Sequence, residues 1–435
     1  MLGEKLRALC VSRDGNIGLF FAFLLVPIVG LGGAGIDLAR YEAMRIGLQD
    51  GLDRGVLAAA SLTQTMDAEA TVREHLKALR FAERIELSFD KEISVNSRRI
   101  QAEASLEMET AFIKLFGVDT LNVGAISTAK EAKSNIEMSL MLDMSGSMIA
   151  KSKNSKTRME NLKIAASSFI DQVLTNDSAN YTTISVVPYA GQVNIGSAVF
   201  DALGARRVHD NSSCLEIPVA DFGAGTTDFK RLTQVGKFTR WNAGKTDPLP
   251  WWCPMEHTAV TYHSNDAAAL KKMISTLRMH DGTGSHLGLQ WGYMLLNPAS
   301  KAVTDAAVSA GKMDAKFKAR PAPFSDSETM KIIVLMTDGL ITEQFRAKDG
   351  KEAATDSDML YNTTKSAQYL STICTKAKAN GITVFTIGFE IADKDSGQMK
   401  NCASSAGHYY SASGAGLSDA FKSISTSIQK LRLTQ

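Results

Sequence analysis

This chain of 435 residues has almost no net charge, no cysteine pair with the spacing of a metal or redox motif, and none of the common catalytic motifs. Its 48 basic and 46 acidic residues leave a net charge of +2, which gives no overall attraction to nucleic acid or to an anionic membrane surface. None of the five cysteines has CxxC spacing, which argues against a zinc ribbon and a thioredoxin-type redox motif. HExxH and GxSxG do not occur, and Gly282-Thr-Gly284-Ser-His-Leu lacks the third glycine of a nucleotide loop. We therefore expect that the chain is not an enzyme.

Charged residues are also missing from Gly15 to Ile36, and this absence predicts a membrane anchor. As a helix the run would span about 30 Å, which is enough for the hydrocarbon core of a bilayer. A cleaved signal peptide is the alternative, but the run is long, and Asp37-Leu-Ala-Arg-Tyr41 is more typical of a continuing helix than of a cleavage site. We expect an uncleaved, single-pass anchor at residues 15–36.

The orientation of this anchor depends on the charges and cysteines that flank it. Three basic residues precede the run and three follow it, so the positive-inside rule barely decides; they are Lys5, Arg7, Arg13, Arg40, Arg45 and Arg54. Cys10 lies before the run, whereas the other four cysteines follow it and could form two disulfides in an oxidising compartment. We expect a cytoplasmic N-terminus at residues 1–14 and a C-terminal part outside.

Residues 37–132 have the pattern of a small α+β unit. Apolar residues recur near helical spacing from Leu38 to Ala59, so the membrane helix should continue outward as an amphipathic stalk. A second helical stretch near residues 68–79 precedes two alternating segments, Ile85–Phe89 and Ile100–Leu106, which predict strands with one buried face.

The charged segment Lys130-Glu-Ala-Lys133 separates this unit from a larger domain at residues 133–435. There, continuous apolar strands such as IIVLM and ITVFTI alternate with amphipathic helices. This pattern predicts an α/β fold with a mostly parallel sheet and helices on both faces. The predicted elements are strand 136–142, helix 159–174, strand 182–187, helices 266–279 and 287–296, strand 332–336, helix 364–379, strand 382–387 and helix 417–431.

Two stretches interrupt the alternation of strands and helices. Residues from about 192 to 264 are rich in Gly, Asp, Thr and Trp and are interpreted as an insertion that holds Cys214 and Cys253. Residues 302–328 are rich in Ala, Lys and Asp and are predicted to form a surface loop.

Oxygen-bearing side chains follow the predicted strands and open one predicted helix. Asp143-Met-Ser145-Gly-Ser147 directly follows the strand IEMSLML, and Asp338 directly follows Thr337 after the strand IIVLM. Thr283 lies in a glycine loop before the helix that begins near Leu287. Ligands of open α/β sheets collect beyond the carboxyl ends of the strands, and carboxylates with hydroxyls suit a hard cation such as Mg²⁺. Alone, each motif could be a helix cap or a turn; jointly they predict a metal site.

In this order, DxSxS after a strand, a Gly-Thr loop and a strand ending in TDG resemble a von Willebrand factor A domain. The resemblance covers about residues 134–432, apart from the insertion. It implies a Rossmann-like α/β fold and a metal-ion-dependent adhesion site that holds Mg²⁺, or Mn²⁺ or Ca²⁺. By that resemblance the metal residues are Asp143, Ser145, Ser147, Thr283 and Asp338.

The segment RDGNIGLFFAFLLVPIVGLGGAGIDLARY is similar to the start of TadG-like proteins of the Flp (tight-adherence) pilus assembly system. That resemblance implies one transmembrane helix, a pilin-like stalk and an outward von Willebrand A domain in the bacterial inner membrane, with the C-terminal domain periplasmic or surface-facing. Pilins of the related type carry a glutamate early in the apolar run, and none occurs between Gly15 and Ile36. This difference argues against prepilin-type cleavage.

The cysteines and tryptophans beyond residue 200 allow two interpretations each. We expect disulfides between Cys374 and Cys402 and between Cys214 and Cys253, with free thiols as the alternative. The tryptophans of the insertion are either a partner surface or buried packing; they are Trp241, Trp251 and Trp252. His286 is expected at the surface near the start of a helix.

We therefore expect a membrane-anchored pilus assembly or adhesion protein that holds a partner through a bound divalent cation. The partner would be a pilin or another protein of the pilus machinery, and no nucleic acid. One alternative is a periplasmic scaffold in which metal binding is incidental. Another is a regulatory von Willebrand A subunit of an ATPase complex, which would need a cytoplasmic domain.

Overall fold

The computed structural model of the chain describes residues 16–93, 97–132, 134–240, 251–348 and 357–433. The chain divides into two compact units, Met1–Ala132 and Lys133–Gln435, which we call the N-terminal unit and the C-terminal unit. The predicted cytoplasmic segment 1–14, Cys10 and Trp241 lie outside the described residues.

Helix α1 (Asn16–Ala60) of the N-terminal unit is one continuous helix that contains the apolar segment and extends beyond it. Its 45 residues correspond to roughly 68 Å at 1.5 Å per residue. Within the described residues it is the one helix that is long and apolar enough to cross a membrane. Its later part has a fully buried stripe, formed by Leu48, Leu52, Val56 and Ala59. The helix therefore continues beyond the apolar run and has a buried face there.

Three antiparallel strands complete the N-terminal unit: β1 (Glu86–Ile93), β2 (Ser97–Glu109) and β3 (Thr120–Ala132), in the order β1-β2-β3. Helix α2 (Ala68–Leu76) packs with them and with α1 around one core. Along β2 every second side chain is buried, because one face of the sheet lies on α1 and the other faces outward. The first two strands and α2 were predicted. The strand β3 was not, because few of its residues are large and apolar.

The C-terminal unit contains eight strands within the described residues. They are β4 (Asn135–Asp143), β5 (Thr182–Tyr189), β6 (Thr261–Ser264), β7 (Thr329–Thr337), β8 (Gln344–Ala347), β9 (Ser357–Tyr361), β10 (Thr383–Phe389) and β11 (Tyr409–Ala412). Six of them form a sheet in the order β11-β10-β7-β4-β5-β6, parallel except for β6 at one edge. Strands β8 and β9 form a separate antiparallel pair.

Helices cover both faces of the six-stranded sheet, as an α/β fold requires. In chain order they are α3 (Arg158–Val173), α4 (Ser197–Ala202), α5 (Ala267–Thr276), α6 (Ser285–Met294), α7 (Lys301–Ser309), α8 (Thr363–Ala379), α9 (Gly397–Cys402) and α10 (Gly416–Leu433). Helices α3, α5 and α10 share a core with one face of the sheet, and α4, α6, α7, α8 and α9 share a core with the other. Side chains of β7 alternate between these two cores, with Ile332 and Val334 in one and Ile333 and Leu335 in the other. The predicted α/β fold class is confirmed.

The strand order reverses direction between β4 and β7. From β4 the chain proceeds through β5 to β6 on one side, then crosses to β7 and continues through β10 to β11 on the other. Crevices beyond the carboxyl ends of strands at such a switch point are the usual ligand sites of open α/β sheets. Both Asp143 and Asp338 lie at this place.

Two predictions about irregular segments need correction. Residues 302–328 are not only a surface loop, since α7 (Lys301–Ser309) lies within the core. Its buried residues Val303, Ala306 and Ala307 have helical spacing, but alanine gives such a face little hydrophobic contrast. The insertion at about 192–264 supplies the edge strand β6 as well as loops.

Both expected disulfides are present. Cys214 is bonded to Cys253, and Cys374 is bonded to Cys402. The first bond closes a loop with a sequence separation of 39 and lies in a small core cluster of the insertion, and the second joins α8 to α9. Cross-links of this kind stabilise a fold by restricting its unfolded chain.

Candidate metal centre

Asp143 ends β4, and its side chain is completely buried. One carboxylate oxygen, Oδ1, accepts a hydrogen bond from the backbone N–H of Ser145 at 2.8 Å. The other, Oδ2, accepts one from the Thr337 hydroxyl at 2.5 Å. Thr337 ends the adjacent parallel strand β7, so this hydrogen bond joins the carboxyl ends of β4 and β7.

Two serine hydroxyls connect this strand end to the second carboxylate. Ser147 Oγ donates to Asp338 Oδ1 at 2.6 Å, and Ser145 Oγ lies 3.4 Å from the same oxygen and 2.9 Å from Ser147 Oγ. A single turn of 3₁₀ helix, Gly146–Ile149, carries Ser147. Asp143, Ser145, Ser147 and Asp338 are therefore brought together as the sequence predicted.

Thr283 reaches the same place from the loop before α6. It lines a cleft of about 470 Å³ together with Ser147 and Gly339. Its backbone is held by Thr342: Thr283 N donates to the Thr342 hydroxyl at 2.9 Å, and Thr342 N donates to Thr283 O at 3.0 Å. The loop approaches the end of β5 closely, because a Cβ on Gly284 would lie only 2.7 Å from a backbone oxygen. Thr283 thus shares this cleft with Ser147, which in turn bonds Asp338.

Arg158 is a member of this site that the sequence did not reveal. Its Nη1 donates to Asp338 Oδ2 at 2.9 Å, and its Nε donates to Glu390 Oε2 at 3.2 Å. The capping box of Thr157 and Glu160 starts α3 and sets Arg158 in the first turn. That T-x-x-E pattern, and the charged Glu390 directly after the strand ITVFTIGF, are the signals that could have placed both groups at this edge.

The two aspartates repel each other at short range. Burial, and after it the charge of Asp338, raises the pKa of Asp143 above its ordinary value, although the Ser145 and Thr337 donors oppose this. Burial likewise raises the pKa of Asp338, against the stabilising effects of Ser147 and Arg158. Two buried carboxylates with raised pKa values form a site in which an additional positive charge would be stabilised.

The donor set at this edge suits a hard divalent cation. It consists of carboxylate and hydroxyl oxygens, the ligands that Mg²⁺ and Ca²⁺ take, with no sulfur or imidazole donor among the five residues. No group of three or more His, Cys, Asp or Glu side chains able to hold a metal occurs in the described ranges, so a cation here would need neutral oxygen ligands beside the two carboxylates. The residues present therefore fit the implied ion.

Two side chains near the site differ from expectation or resolve an alternative. His286 is fully buried rather than at the surface, because its ring packs beside Phe222 and Tyr361 and bonds the Tyr361 hydroxyl at 2.9 Å. Trp252 is buried between Phe238 and Phe345, which supports packing rather than a partner surface for this tryptophan.

Comparison with protein families gives a match at the other end of the chain. Residues 15–62 match the Tad family, Flp pilus-assembly TadE/G-like. The likeness is confined to this N-terminal segment. The matched segment includes the whole apolar run and all of α1. No curated protein matches the chain.

Solved structures with a similar chain trace include domains of pilus proteins and the VWA domain of SpRpn10. The von Willebrand factor domain of the type V pili tip protein Mfa5 from Porphyromonas gingivalis is 14% identical, with 69% of this chain and 96% of that chain covered and a TM-score of 0.38. The pilus adhesin SpaC from Lactobacillus rhamnosus GG is 14% identical over 80% of this chain, with a TM-score of 0.36, and the match spans only 34% of SpaC. The adhesive tip pilin GBS104 from Group B Streptococcus agalactiae is 12% identical, with 68% and 100% covered and a TM-score of 0.34. At such scores these likenesses carry no argument about function.

Proposed function

We propose that this chain is a single-pass inner-membrane protein of pilus assembly or adhesion, whose C-terminal unit binds a divalent cation and, through it, a carboxylate of a partner protein. The observation that carries the proposal is the pair of buried carboxylates, Asp143 and Asp338, set among serine hydroxyls at the switch point of a parallel sheet.

Each residue of the site would have a distinct role. Asp143 and Asp338 supply negative charge, and Ser145, Ser147 and Thr283 supply neutral oxygen donors along the cleft. When bound, the ion would offer an open coordination position to a carboxylate oxygen of the partner. We propose no catalytic role, because the site lacks an evident base: His286, three residues after Thr283, is buried and bonded to Tyr361.

The rim of the cleft supports a protein ligand rather than a small molecule. Leu340 follows the TDG turn and is 53% exposed. Arg240 lies over the ring of Phe345, 3.4 Å from its centroid, and lines the same cleft. An exposed apolar side chain beside an arginine is typical of interface composition and would suit a carboxylate-bearing surface. We propose that the partner is a pilin or another protein of the pilus machinery.

The proposed location follows from α1 and the disulfides. The TadE/G-like segment supplies a helix long enough to cross a bilayer. Disulfides persist in oxidising compartments, so the two bonds of the C-terminal unit support a periplasmic or surface-facing location for it.

Direct Mn²⁺ binding tests the metal site. We expect the full-length protein in detergent to bind one Mn²⁺ in a saturable, Mg²⁺-competed manner, measured by electron paramagnetic resonance. Asp143→Asn should abolish this binding, while Asp314→Asn, which changes an exposed aspartate of the same unit, should not. A wild-type protein without a saturable site would refute the proposal.

Pull-down from solubilised membranes tests the partner contact. The double variant Ser145→Ala, Ser147→Ala should lose in Mg²⁺ the same proteins that the wild type loses in chelator, whereas the exposed control Ser371→Ala should keep them. Retention of the partner by the double variant, unchanged by chelator, would contradict a metal-mediated contact.

One observation favours the scaffold as the second candidate. The guanidinium of Arg158 already pairs with Asp338, so the site has a partial counter-charge without an ion. In a scaffold this pair would hold α3 against the sheet edge, and pilus assembly would then survive the serine double variant.

A further inference from the structure

The loop between β2 and β3 of the N-terminal unit descends along the apolar part of α1. Residues 110–119 form it, with one 3₁₀ turn at Ile113–Phe116. Its ends are closed by Thr110 N, which donates to Asp119 O at 3.0 Å. The Thr110 hydroxyl also donates to Val118 O at 2.6 Å, so the loop is a compact structure rather than a loose connection.

Asp37 fixes this loop at a defined position along the axis of α1. Its buried carboxylate accepts hydrogen bonds from three consecutive backbone N–H groups, those of Ala111, Phe112 and Ile113, at 2.7 to 3.1 Å. Asp37 is also the first charged residue after the apolar run that starts at Gly15. The anchoring point of the loop therefore marks the outer end of the membrane-spanning segment.

Below Asp37 the loop packs on two glycines of the apolar run. A Cβ on Gly33 would lie 2.3 Å from Cγ of Phe112, and a Cβ on Gly30 would lie 2.4 Å from Cζ of Phe116. Gly30 precedes Asp37 by seven residues, which is about 10 Å along the helix axis. The tip of the loop thus lies beside the apolar segment itself.

The outer surface of this tip is apolar and uncovered. Leu115 is 73% exposed, Phe116 is 61% exposed and Val118 is 39% exposed. The neighbouring Lys114 is long enough to carry its ammonium group away from an apolar environment, and its Nζ lies 3.8 Å from Asp119. A leucine and a phenylalanine exposed together are costly in water but stable in the acyl-chain region of a bilayer.

We infer that loop 110–119 is a second membrane contact, which inserts Leu115 and Phe116 into the outer leaflet of the bilayer that α1 spans. The occupant is lipid rather than protein because the tip is continuous with the apolar face of the membrane helix and lies at the depth of Gly30 and Gly33. The inference rests on the proposed membrane anchoring of α1.

Depth-dependent quenching in vesicles tests the insertion. The full-length protein carrying Cys10→Ser and Leu115→Cys is labelled with an environment-sensitive nitrobenzoxadiazole dye and reconstituted into phosphatidylcholine vesicles with doxyl-labelled lipid. We expect a blue-shifted emission and quenching several-fold stronger than at Ile126→Cys. Ile126 is a matched control, since it is 60% exposed in the same unit and its carbonyl bonds Gln49, which follows Asp37 by about 18 Å of helix.

A third labelling position distinguishes failure of this inference from failure of the proposed membrane anchor. Leu24→Cys lies in the apolar run, so it should be quenched if α1 spans the membrane. Quenching at residue 24 without quenching at residue 115 would overturn the lipid contact and leave the anchor intact, and would mean that another protein covers the loop. Absence of quenching at both sites would overturn the anchor as well.

A glycine pair tests whether the contact with α1 positions the loop. Gly33→Ala places a methyl group against Phe112, whereas a Cβ on Gly32 meets no atom within 4 Å. We expect Gly33→Ala to reduce the quenching at residue 115 at least two-fold and Gly32→Ala to leave it unchanged. Equal quenching in both variants would mean that the loop reaches the bilayer without docking on α1.

Discussion

Two buried aspartates, one in each unit, show how differently a protein can treat the same carboxylate. Asp37 in α1 accepts bonds from three backbone N–H groups, and the one from Ile113 contributes most to lowering the pKa of this carboxyl to about 2. Asp143 at the end of β4 is buried close to Asp338, and its pKa is raised. The charge of Asp37 is stabilised by backbone N–H groups of its own unit. The charge of Asp143 remains under-compensated, which is the electrostatic basis on which we propose a cation at this place.

The largest expected effect comes from removing the satisfied charge. Asp37→Ala leaves three backbone donors of the loop without their acceptor, and unmet buried donors are costly. We expect the amides of residues 110–132 to lose protection in hydrogen-exchange mass spectrometry. Asp50→Ala is the control, since Asp50 is exposed on the same helix and pairs only with Arg54 there. Equal protection in the two variants would show that Asp37 does not hold the loop.

Removing the under-compensated charge of Asp143 should not destabilise the protein in the absence of metal. Asp143→Asn eliminates the repulsion with Asp338, so in chelator the C-terminal unit should be as stable as the wild type or more stable by about 1 kcal/mol. With saturating Mg²⁺ only the wild type should gain stability, by about 3 kcal/mol at a hundred-fold excess over Kd. All four tryptophans follow residue 240, so tryptophan fluorescence reports the unfolding of this unit alone. A destabilised Asp143→Asn protein in chelator would contradict the electrostatic account.

A pH titration sharpens the comparison with a third buried group. Burial lowers the pKa of His263 to about 4 in the folded protein, so the unfolded chain binds its proton more readily. Stability from the neutral imidazole is complete above pH 6.5 and is lost as pH falls to 4, by about 3 kcal/mol. The carboxylate pair has raised pKa values and contributes with opposite sign, so the titration belongs in the Asp143→Asn background.

In that background, His263→Gln should flatten the fall in unfolding free energy between pH 6.5 and 4. His257→Gln alters an exposed histidine of the same unit and separates the effect of burial from the loss of an imidazole. If both variants keep the slope of the Asp143→Asn protein, the acid sensitivity arises elsewhere.

The smallest effect concerns the internal counter-charge. Arg158→Ala removes the guanidinium from Asp338, so the free energy of unfolding in chelator should fall by about 2 kcal/mol. The affinity for Mn²⁺ should rise several-fold, because the ion no longer competes with a cation for that carboxylate. Arg158→Lys keeps the charge and should stay near the wild type in affinity. A weaker Mn²⁺ affinity in Arg158→Ala would mean that Arg158 supports the site instead of competing for it.

Sequence patterns predicted most of the sheet, and the position of Asp143 and Asp338 at its edge, for a common reason. A strand buried on both faces, such as β4, is a continuous apolar run, and the polar residue that ends it marks the edge of the sheet. The positions of Asp143 and Asp338 at the sheet edge can therefore be predicted directly from the sequence. The expectation for Thr283 depended on the resemblance to a known family and on its place before a helix.

Features that depend on tertiary contacts were beyond the sequence. Arg158 has the pattern of a solvent-facing residue in a first helical turn, and only the approach of α3 to the ends of β7 and β10 gives it two carboxylate partners. His286 has the pattern of a surface residue, and only aromatic neighbours from distant segments bury it. The alternation in β3 is carried by small side chains, so its pairing with β2 is set by the sheet and not by its own composition.

The continuous helix α1 sets a constraint on how the N-terminal unit can evolve. The glycines that receive the loop, Asp37 and the residues that pack on the sheet all lie on one face of this helix. Inserting a single residue after Asp37 would turn the sheet-facing side by about 100° relative to the loop-facing side. Since the loop is also the connection between β2 and β3, both contacts could not then form together. The length of α1 between its apolar part and Leu48 is therefore fixed by helical phase, and tolerated length changes should come in whole turns.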